Sequence, residues 1–493
     1  MHVATLKILK ASMLLLCVSW YSRLLSAISI IILARNLSKY DFGVLAGCYI
    51  VQGFFNVLSN VGSNQYLIRK NKISDHDINA AWTINFISRS VIAVLIFLSS
   101  EWVAEYMQIP EMALVLKVMS LSAIFIGLQS PAINLKEKNL DYGQLSILEI
   151  VTKSISSTTS VVIAIVFQSY WAIVIGTLVY NGLYSFGSQF IVRRKLTLVL
   201  GNIGEQWQFS KWVLLKGVIN YIKVAFDKII IAKCYSVTEL GLYNFANEAS
   251  VTAQQFVITP INKVLYPSLS GYVNDKKQLL DKVYKSIVVL CCLYLPIVFG
   301  GVYLADSIVP AVFGPQWVEA IPLFQTFLVM TFSGILAGVL TDVFTLLGEV
   351  KKQFYYESFT SIVFLIIVVG ISSVNLYDFA LYRMYIAYLM LLILFGVLNR
   401  IMSLSLFKTV ILLIPILLSS ACMLLLLFLI HSFNISSISL VNLAMSIIGG
   451  ALVYCSSTLL LIYYVKQFSD EYDFLYKTFI HPMLIAFKHR VQS

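Results

Sequence analysis

From one end to the other the chain alternates between apolar runs of about twenty residues and short polar connections. A helix needs about 20 predominantly apolar residues to cross the hydrocarbon core of a bilayer. Inside lipid, backbone polar groups must be satisfied within the protein, which leaves helices or closed barrels. Runs of this length select helices. Read on that rule, the sequence predicts fourteen spans, near 11–34, 42–66, 80–99, 112–134, 144–167, 170–191, 211–233, 241–266, 284–305, 320–347, 357–374, 379–399, 409–430 and 437–465. The first run is too long for a leader core and lacks a small-residue cleavage site, so it reads as the first span. Composition agrees: 59% of residues are hydrophobic and 12% charged, against about 25% charged in soluble domains. The expected fold is an all-α polytopic membrane protein without a soluble catalytic domain.

The formal charge of +11 raises nucleic acid as a partner. The basic residues form no patch on a soluble domain, however; they sit in short clusters between apolar runs, which is the pattern that sets membrane topology. With the N-terminus in the cytoplasm, the inside segments carry twenty-two Lys and Arg, among them Arg69, Lys70, Arg193 to Lys195, Lys276, Lys277, Lys351 and Lys352. The outside segments carry three: Arg35, Lys39 and Lys233. This bias predicts both termini inside. Trp82, Trp102, Trp171, Trp207, Trp212 and Trp317 fall near predicted span ends, where amphipathic rings favour the headgroup region. No outside connection exceeds about 15 residues, too few for a folded domain. The tail from Tyr472 to Arg490 mixes apolar and basic residues and reads as an amphipathic helix on the cytoplasmic surface. None of the seven cysteines forms a C-x-x-C pair, and the five histidines lie at segment ends or in tails. The pattern calls for no metal, no cofactor and no catalytic set.

An internal repeat organises these spans. Ile31, Ile32, Ala34, Ser38 and Gly43 recur as Ile229, Ile230, Ala232, Ser236 and Gly241, 198 positions later. Arg35 matches Lys233, and Asp41 matches Glu239. Copies six spans apart predict two six-helix bundles of the same orientation, related by an axis along the membrane normal. Parallel repeats of this kind are found in secondary transporters, with the substrate site between the halves. The division expected is residues 1–200 and 201–400 for the bundles, 401–466 for two additional helices, and 467–493 for a cytoplasmic tail.

Polar groups within the bilayer are costly and therefore face a cavity or a partner helix. Stripes at helical spacing run along the first span (Ser19, Ser22, Arg23, Ser26, Ser29), the second (Gln52, Asn56, Ser59, Asn60, Ser63) and the fifth (Glu149, Lys153, Ser156, Ser157, Ser160). Others mark the seventh (Lys216, Asn220, Lys223, Asp227) and the eighth (Asn244, Asn247, Glu248, Gln255, Thr259). Glu149 with Lys153, and Lys223 with Asp227, stand four residues apart and are spaced for local neutralisation. Arg23, Arg89, Lys216 and Arg383 have no acid three or four residues away. A net basic lining suits an anion, since a guanidinium in low dielectric binds phosphate bidentately. The substrate-binding set expected is Arg23, Asn56, Asn60, Arg89, Lys153, Lys216, Asn220, Lys223, Asn247, Gln255 and Arg383. Glu149, Asp227, Glu248 and Asp342 are the acids that a coupling ion would use. Pro131, Pro260, Pro296 and Pro415 lie within or at the ends of spans, where each removes a backbone hydrogen bond and can bend its helix.

Two stretches carry a resemblance. The run from Arg23 to Lys70, with Leu33 to Val44 followed by Gly62 and Leu67 to Arg69, resembles the opening of bacterial polysaccharide-export flippases. The run Phe226 to Lys233, followed by Glu239 to Tyr243 and Tyr266 to Leu269, resembles their second half. These proteins form a branch of the multidrug/oligosaccharidyl-lipid/polysaccharide superfamily with a MATE-like fold. The resemblance implies a lipid-linked oligosaccharide, carried on undecaprenyl pyrophosphate and turned across the bacterial inner membrane for exopolysaccharide, capsule or O-antigen synthesis. It implies membrane lipids, a polysaccharide polymerase and the export machinery as partners, and no nucleic acid. A drug or cation exporter of the same fold would instead want unpaired acids and aromatic faces. A membrane polymerase would want a large outer loop or clustered acids and histidines.

Overall fold

The computed structural model describes residues 2–59, 74–131, 133–138, 141–191, 197–199, 203–432 and 440–482. Among them no strand occurs, and fourteen helices of 17 residues or more follow one another. We number these α1 (His2–Asn36), α2 (Lys39–Ser59), α3 (Asp75–Met107), α4 (Glu111–Gly127), α5 (Gly143–Phe167), α6 (Trp171–Ile191) and α7 (Ile203–Cys234). They continue as α8 (Val237–Ser270), α9 (Lys276–Tyr303), α10 (Ile321–Leu346), α11 (Val350–Gly370), α12 (Leu376–Met402), α13 (Leu406–Ser432) and α14 (Leu440–Val465). By length and composition, ten of these are able to cross a membrane among the described residues. The other four are α4, α6, α7 and α8, two of which carry the polar stripes of the seventh and eighth predicted spans. The protein is a multi-pass, all-α membrane protein.

The fourth span is shorter than its apolar run. It was expected over 112–134, but α4 stops at Gly127 and a separate short helix runs over Ile133–Lys138. Pro131 explains the break: its ring removes a donor and disfavours helical backbone in the residue before it. In contrast, α9 and α13 run through Pro296 and Pro415. The described part of the second span ends at Ser59, and its predicted remainder, with Asn60, lies outside the described residues.

The chain divides into two compact units, residues 1–244 and 245–493. The first unit closes around Val44, Leu45, Cys48, Ile92, Ile96, Met112, Val115, Leu116 and Val174, which are contributed by α2, α3, α4 and α6. Between helices in lipid there is little hydrophobic drive, so close backbone approach at small residues takes its place. A Cβ added at Gly176 of α6 would meet Ser160 Oγ of α5 at 1.8 Å, and one at Gly187 would meet Leu148 Cδ1 at 2.3 Å.

The repeat motif has a direct structural meaning. In the first copy Ser38 N and Oγ bond Asp41 Oδ2 at 2.9 and 2.5 Å, while Asp41 N donates back to Ser38 Oγ at 3.1 Å. In the second copy Ser236 N and Oγ bond Glu239 Oε2 at 2.9 and 2.8 Å, and Glu239 N returns to Ser236 Oγ at 3.2 Å. Each is a reciprocal capping box that satisfies the orphan donors opening α2 and α8. The two glycines then bring these helix starts together. A Cβ on Gly43 would fall 2.0 Å from the carbonyl oxygen of Val237, and one on Gly241 would fall 1.9 Å from that of Lys39.

The second unit is centred on α9, α10, α12 and α13, through Leu279, Val283, Ile287, Leu340, Phe344, Leu394, Leu398 and Ile416. Trp317, expected near a span end, lies just before α10, is 0% exposed and stacks on Phe245 with ring centroids 3.8 Å apart. The short helical turn Pro315–Ala320 that leads into α10 turns the indole inward. Trp207 and Trp212 have side chains outside the described residues.

At the beginning of the tail a short helix, Asp470–Leu475, buries Tyr472, which is 1% exposed and donates its hydroxyl to Leu412 O at 2.6 Å. Lys408 at the start of α13 pairs with Glu471 at 2.7 Å, and Ser469 Oγ donates to the same carboxylate at 2.8 Å. Burial pushes the Glu471 carboxyl up, but the hydrogen bonds from Lys408 and Ser469 outweigh it and hold the group below its ordinary value. The rest of the tail, from 483, lies outside the described residues.

Candidate functional site

In the first unit the polar stripe of α2 meets α3 and α4. Gln52 Nε2 donates to Ser122 Oγ of α4 at 2.8 Å, which fixes the stripe's rotation. One turn further, Asn56 Oδ1 lies 3.4 Å from Nη1 of Arg89 on α3, and Asn85 Oδ1 lies 3.4 Å from its Nε. Gly127 leaves room for the arginine stem, since a Cβ there would be 3.2 Å from Arg89 Cβ. The guanidinium is half-buried, and among the described residues no carboxylate pairs with it. Amide oxygens orient a cation but do not cancel it, so Arg89 carries a full positive charge into an apolar surround. The structure thus joins two of the expected residues, Arg89 and Asn56, and adds Asn85.

A second cluster lies between α5 and α6. Glu149 and Lys153 have the four-residue spacing of an ion pair, yet among the described residues none forms between them. Tyr180 of α6 intervenes: its hydroxyl donates to Glu149 Oε2 at 2.9 Å, and Lys153 Nζ lies 5.9 Å from its ring centre. Tyr184, one turn on, stacks on Tyr180 with centroids 5.8 Å apart and planes at 27°. Outside the spans, burial pushes the Glu137 carboxyl of the short helix up. From α1, Tyr21 shares a 2.7 Å hydrogen bond with Ser154, and Arg23 Nε reaches Ser19 Oγ at 3.4 Å. The sequence reading passed over Tyr180 and Tyr184. Their spacing of four, opposite Glu149 and Lys153, was the available signal.

At the turn from α7 into α8, Asp227 is 3% exposed and accepts from Tyr243 Oη at 2.8 Å. Lys228 Nζ donates to Asn244 Oδ1 at 2.8 Å. Tyr221 Oη donates to Ile50 O and ties α7 to α2. Lys223 is half-buried and Asn220 exposed, and the side chain of Lys216 lies outside the described residues.

The remaining expected residues belong to the second unit. Asn247 is half-buried, while Glu248 and Gln255 are exposed. Asp342 is half-buried near the end of α10. Arg383 is half-buried, with Nη1 2.6 Å from Met330 Sδ and its guanidinium 5.7 Å from the Phe364 ring centre. Among the described residues no group of three or more His, Cys, Asp or Glu is placed to hold a metal.

Comparison with known proteins places this helical, internally repeated chain. Residues 32–322 match the family profile described as Polysaccharide biosynthesis protein, more than half of the sequence. The chain belongs to the polysaccharide biosynthesis protein family. The chain is similar to the lipopolysaccharide biosynthesis protein WzxC of Escherichia coli K12, 24% identical over 354 residues, which cover 70% of this chain and 71% of that one. The succinoglycan biosynthesis transport protein ExoT of Rhizobium meliloti is 23% identical, covering 66% and 65%. In fold, this family member is similar to the lipid II flippase MurJ in its inward closed conformation, with a TM-score of 0.72 at 14% identity over 91% of this chain and 98% of that one. It is also similar to a multidrug resistance MATE family transporter in an inward-facing conformation, with a TM-score of 0.60 at 13% identity over 77% and 94%. The fold is MATE-like.

Proposed function

We propose that this polysaccharide biosynthesis protein is a flippase, turning an undecaprenyl-pyrophosphate-linked oligosaccharide repeat unit across the bacterial inner membrane. The observation that carries the reading is Arg89. Its half-buried guanidinium is held by two neutral amides, Asn56 and Asn85. An uncancelled cation within a membrane is expensive. It is retained where an anion visits, and a diphosphate supplies the charge and the paired oxygens that a guanidinium fork matches. The names of the relatives, which concern lipopolysaccharide, succinoglycan and a lipid, support the same class of cargo. Both termini lie in the cytoplasm on this reading, in keeping with the distribution of Lys and Arg.

The test is replacement of Arg89 in cells whose surface polysaccharide depends on this gene. Arg89→Gln should lower surface polysaccharide about tenfold or more at normal protein level, with lipid-linked repeat units accumulating on the inner leaflet. Arg89→Lys should retain part of the activity, because charge persists while the fork is lost. Full export by Arg89→Gln would remove Arg89 from the site. Topology is checked separately: a cysteine at Lys351 should react with an impermeant reagent only from the cytoplasmic side, and labelling from outside would invert the orientation.

A further inference from the structure

The polar cluster between α5 and α6 is not needed to hold those helices together. They already touch on both sides of it, at Gly176 against Ser160 and at Gly187 against Leu148, where no larger residue fits without displacement. Between these two close approaches stand Tyr180 and Tyr184, half-buried and stacked, with Glu149 and Lys153 facing them from α5. The cluster has spare bonding capacity. Glu149 receives one hydroxyl through Oε2. Lys153 has three donors, and its only described interaction is the distant face of Tyr180.

This combination fits one ligand chemistry. A pyranose ring has an apolar face of C–H groups that packs on an aromatic ring, and equatorial hydroxyls around its rim that seek charged acceptors and donors. Binding sites for such ligands combine aromatic walls with a few placed polar groups. Tyr184 offers a ring, Tyr180 a ring already fixed at its hydroxyl end, Glu149 an acceptor and Lys153 a donor. A lipid tail would leave the carboxylate and ammonium unused, and a bare phosphate would be repelled by Glu149. We propose that Tyr180, Tyr184, Glu149 and Lys153 form a saccharide subsite, receiving a sugar ring of the transported oligosaccharide. This rests on the flippase reading above and adds to it a place for the sugar apart from the place for the phosphates at Arg89.

The experiment uses the full-length protein in nanodiscs and two probes: undecaprenyl pyrophosphate without sugar, and the undecaprenyl-linked oligosaccharide extracted from cells lacking the gene. Affinity for each is measured with wild type, Tyr184→Ala, Tyr184→Phe and Arg89→Gln. Tyr184→Ala should weaken binding of the glycosylated lipid about tenfold, the loss of one good stacking contact plus its desolvation, and leave the bare lipid unchanged. Tyr184→Phe, which keeps the ring, should bind both lipids like wild type, and this variant guards against misfolding as the explanation. Arg89→Gln should weaken both. If wild type binds the two lipids and Tyr184→Ala changes neither, or weakens both equally, the subsite is overturned while the flippase reading stands. If wild type binds neither lipid, the flippase reading falls and the subsite with it.

Discussion

Arg89 and Arg383 look alike in the sequence: each is a lone arginine in an apolar helix with no acid one turn away. Their surroundings differ. Arg89 is met by the oxygens of Asn56 and Asn85, groups that point a guanidinium without cancelling it. Among the contacts of Arg383 are the thioether of Met330 and the ring of Phe364, both soft and polarisable. What an intramembrane arginine touches is therefore set by the neighbouring helix, which the spacing along its own helix does not report.

The comparison is open to attack at several points. The largest effect should come from Asn56→Asp, which places a carboxylate against Arg89 and neutralises it. Surface polysaccharide should fall nearly as far as with Arg89→Gln, about tenfold, at normal protein level. Wild-type export would show that the charge of Arg89 is not used. Next, Arg383→Met should cost less in export than Arg89→Gln, because it leaves the contacts of Arg89 with Asn56 and Asn85 in place; a loss equal to that of Arg89→Gln would erase the distinction between the two arginines. The smallest effect concerns a cation that is fully answered by an acid. Lys408→Met breaks the pair with Glu471 and should lower stability by about 1 kcal/mol at pH 7. The Glu471 carboxyl is held below its ordinary value, so the pair's contribution is complete above the unfolded carboxyl's pKa and is lost as pH falls through the folded one. Thermal unfolding in detergent should therefore separate wild type from Lys408→Met at pH 7 and bring them together in acid; a difference that persists in acid would assign the effect to packing.

Much of the fold was legible because lipid imposes a single rule on every span. Apolar runs of sufficient length became helices, several of which run past the expected spans by up to nine residues, as α1 does at its start, whereas α4 was cut short by Pro131. The polar matches in the repeat were legible for a different reason: Ser38 with Asp41, and Ser236 with Glu239, satisfy helix-start donors, a task written in local sequence. The site was harder to read. Asn56 and Arg89 are separated by 33 positions and meet only through the packing of α2 on α3. Glu149 and Lys153 were spaced to pair with each other, and Tyr180, from another helix, took the carboxylate instead. Trp317 stands near a span end as expected, and its burial against Phe245 follows from a turn that hydrophobicity did not signal.

The crossing of the two motif copies has a consequence for how such a chain can change. Val237 follows Lys39 by the same 198 positions that separate Gly241 from Gly43, so each glycine rests on the main chain of the other copy at the corresponding place. The contact is self-complementary, as in a two-fold homodimer, although both sides belong to one polypeptide. A bulky substitution in either copy strikes a backbone, which has no rotamer with which to yield. The descendants of a duplicated segment usually drift apart freely; at this point each holds the other to the smallest residue available.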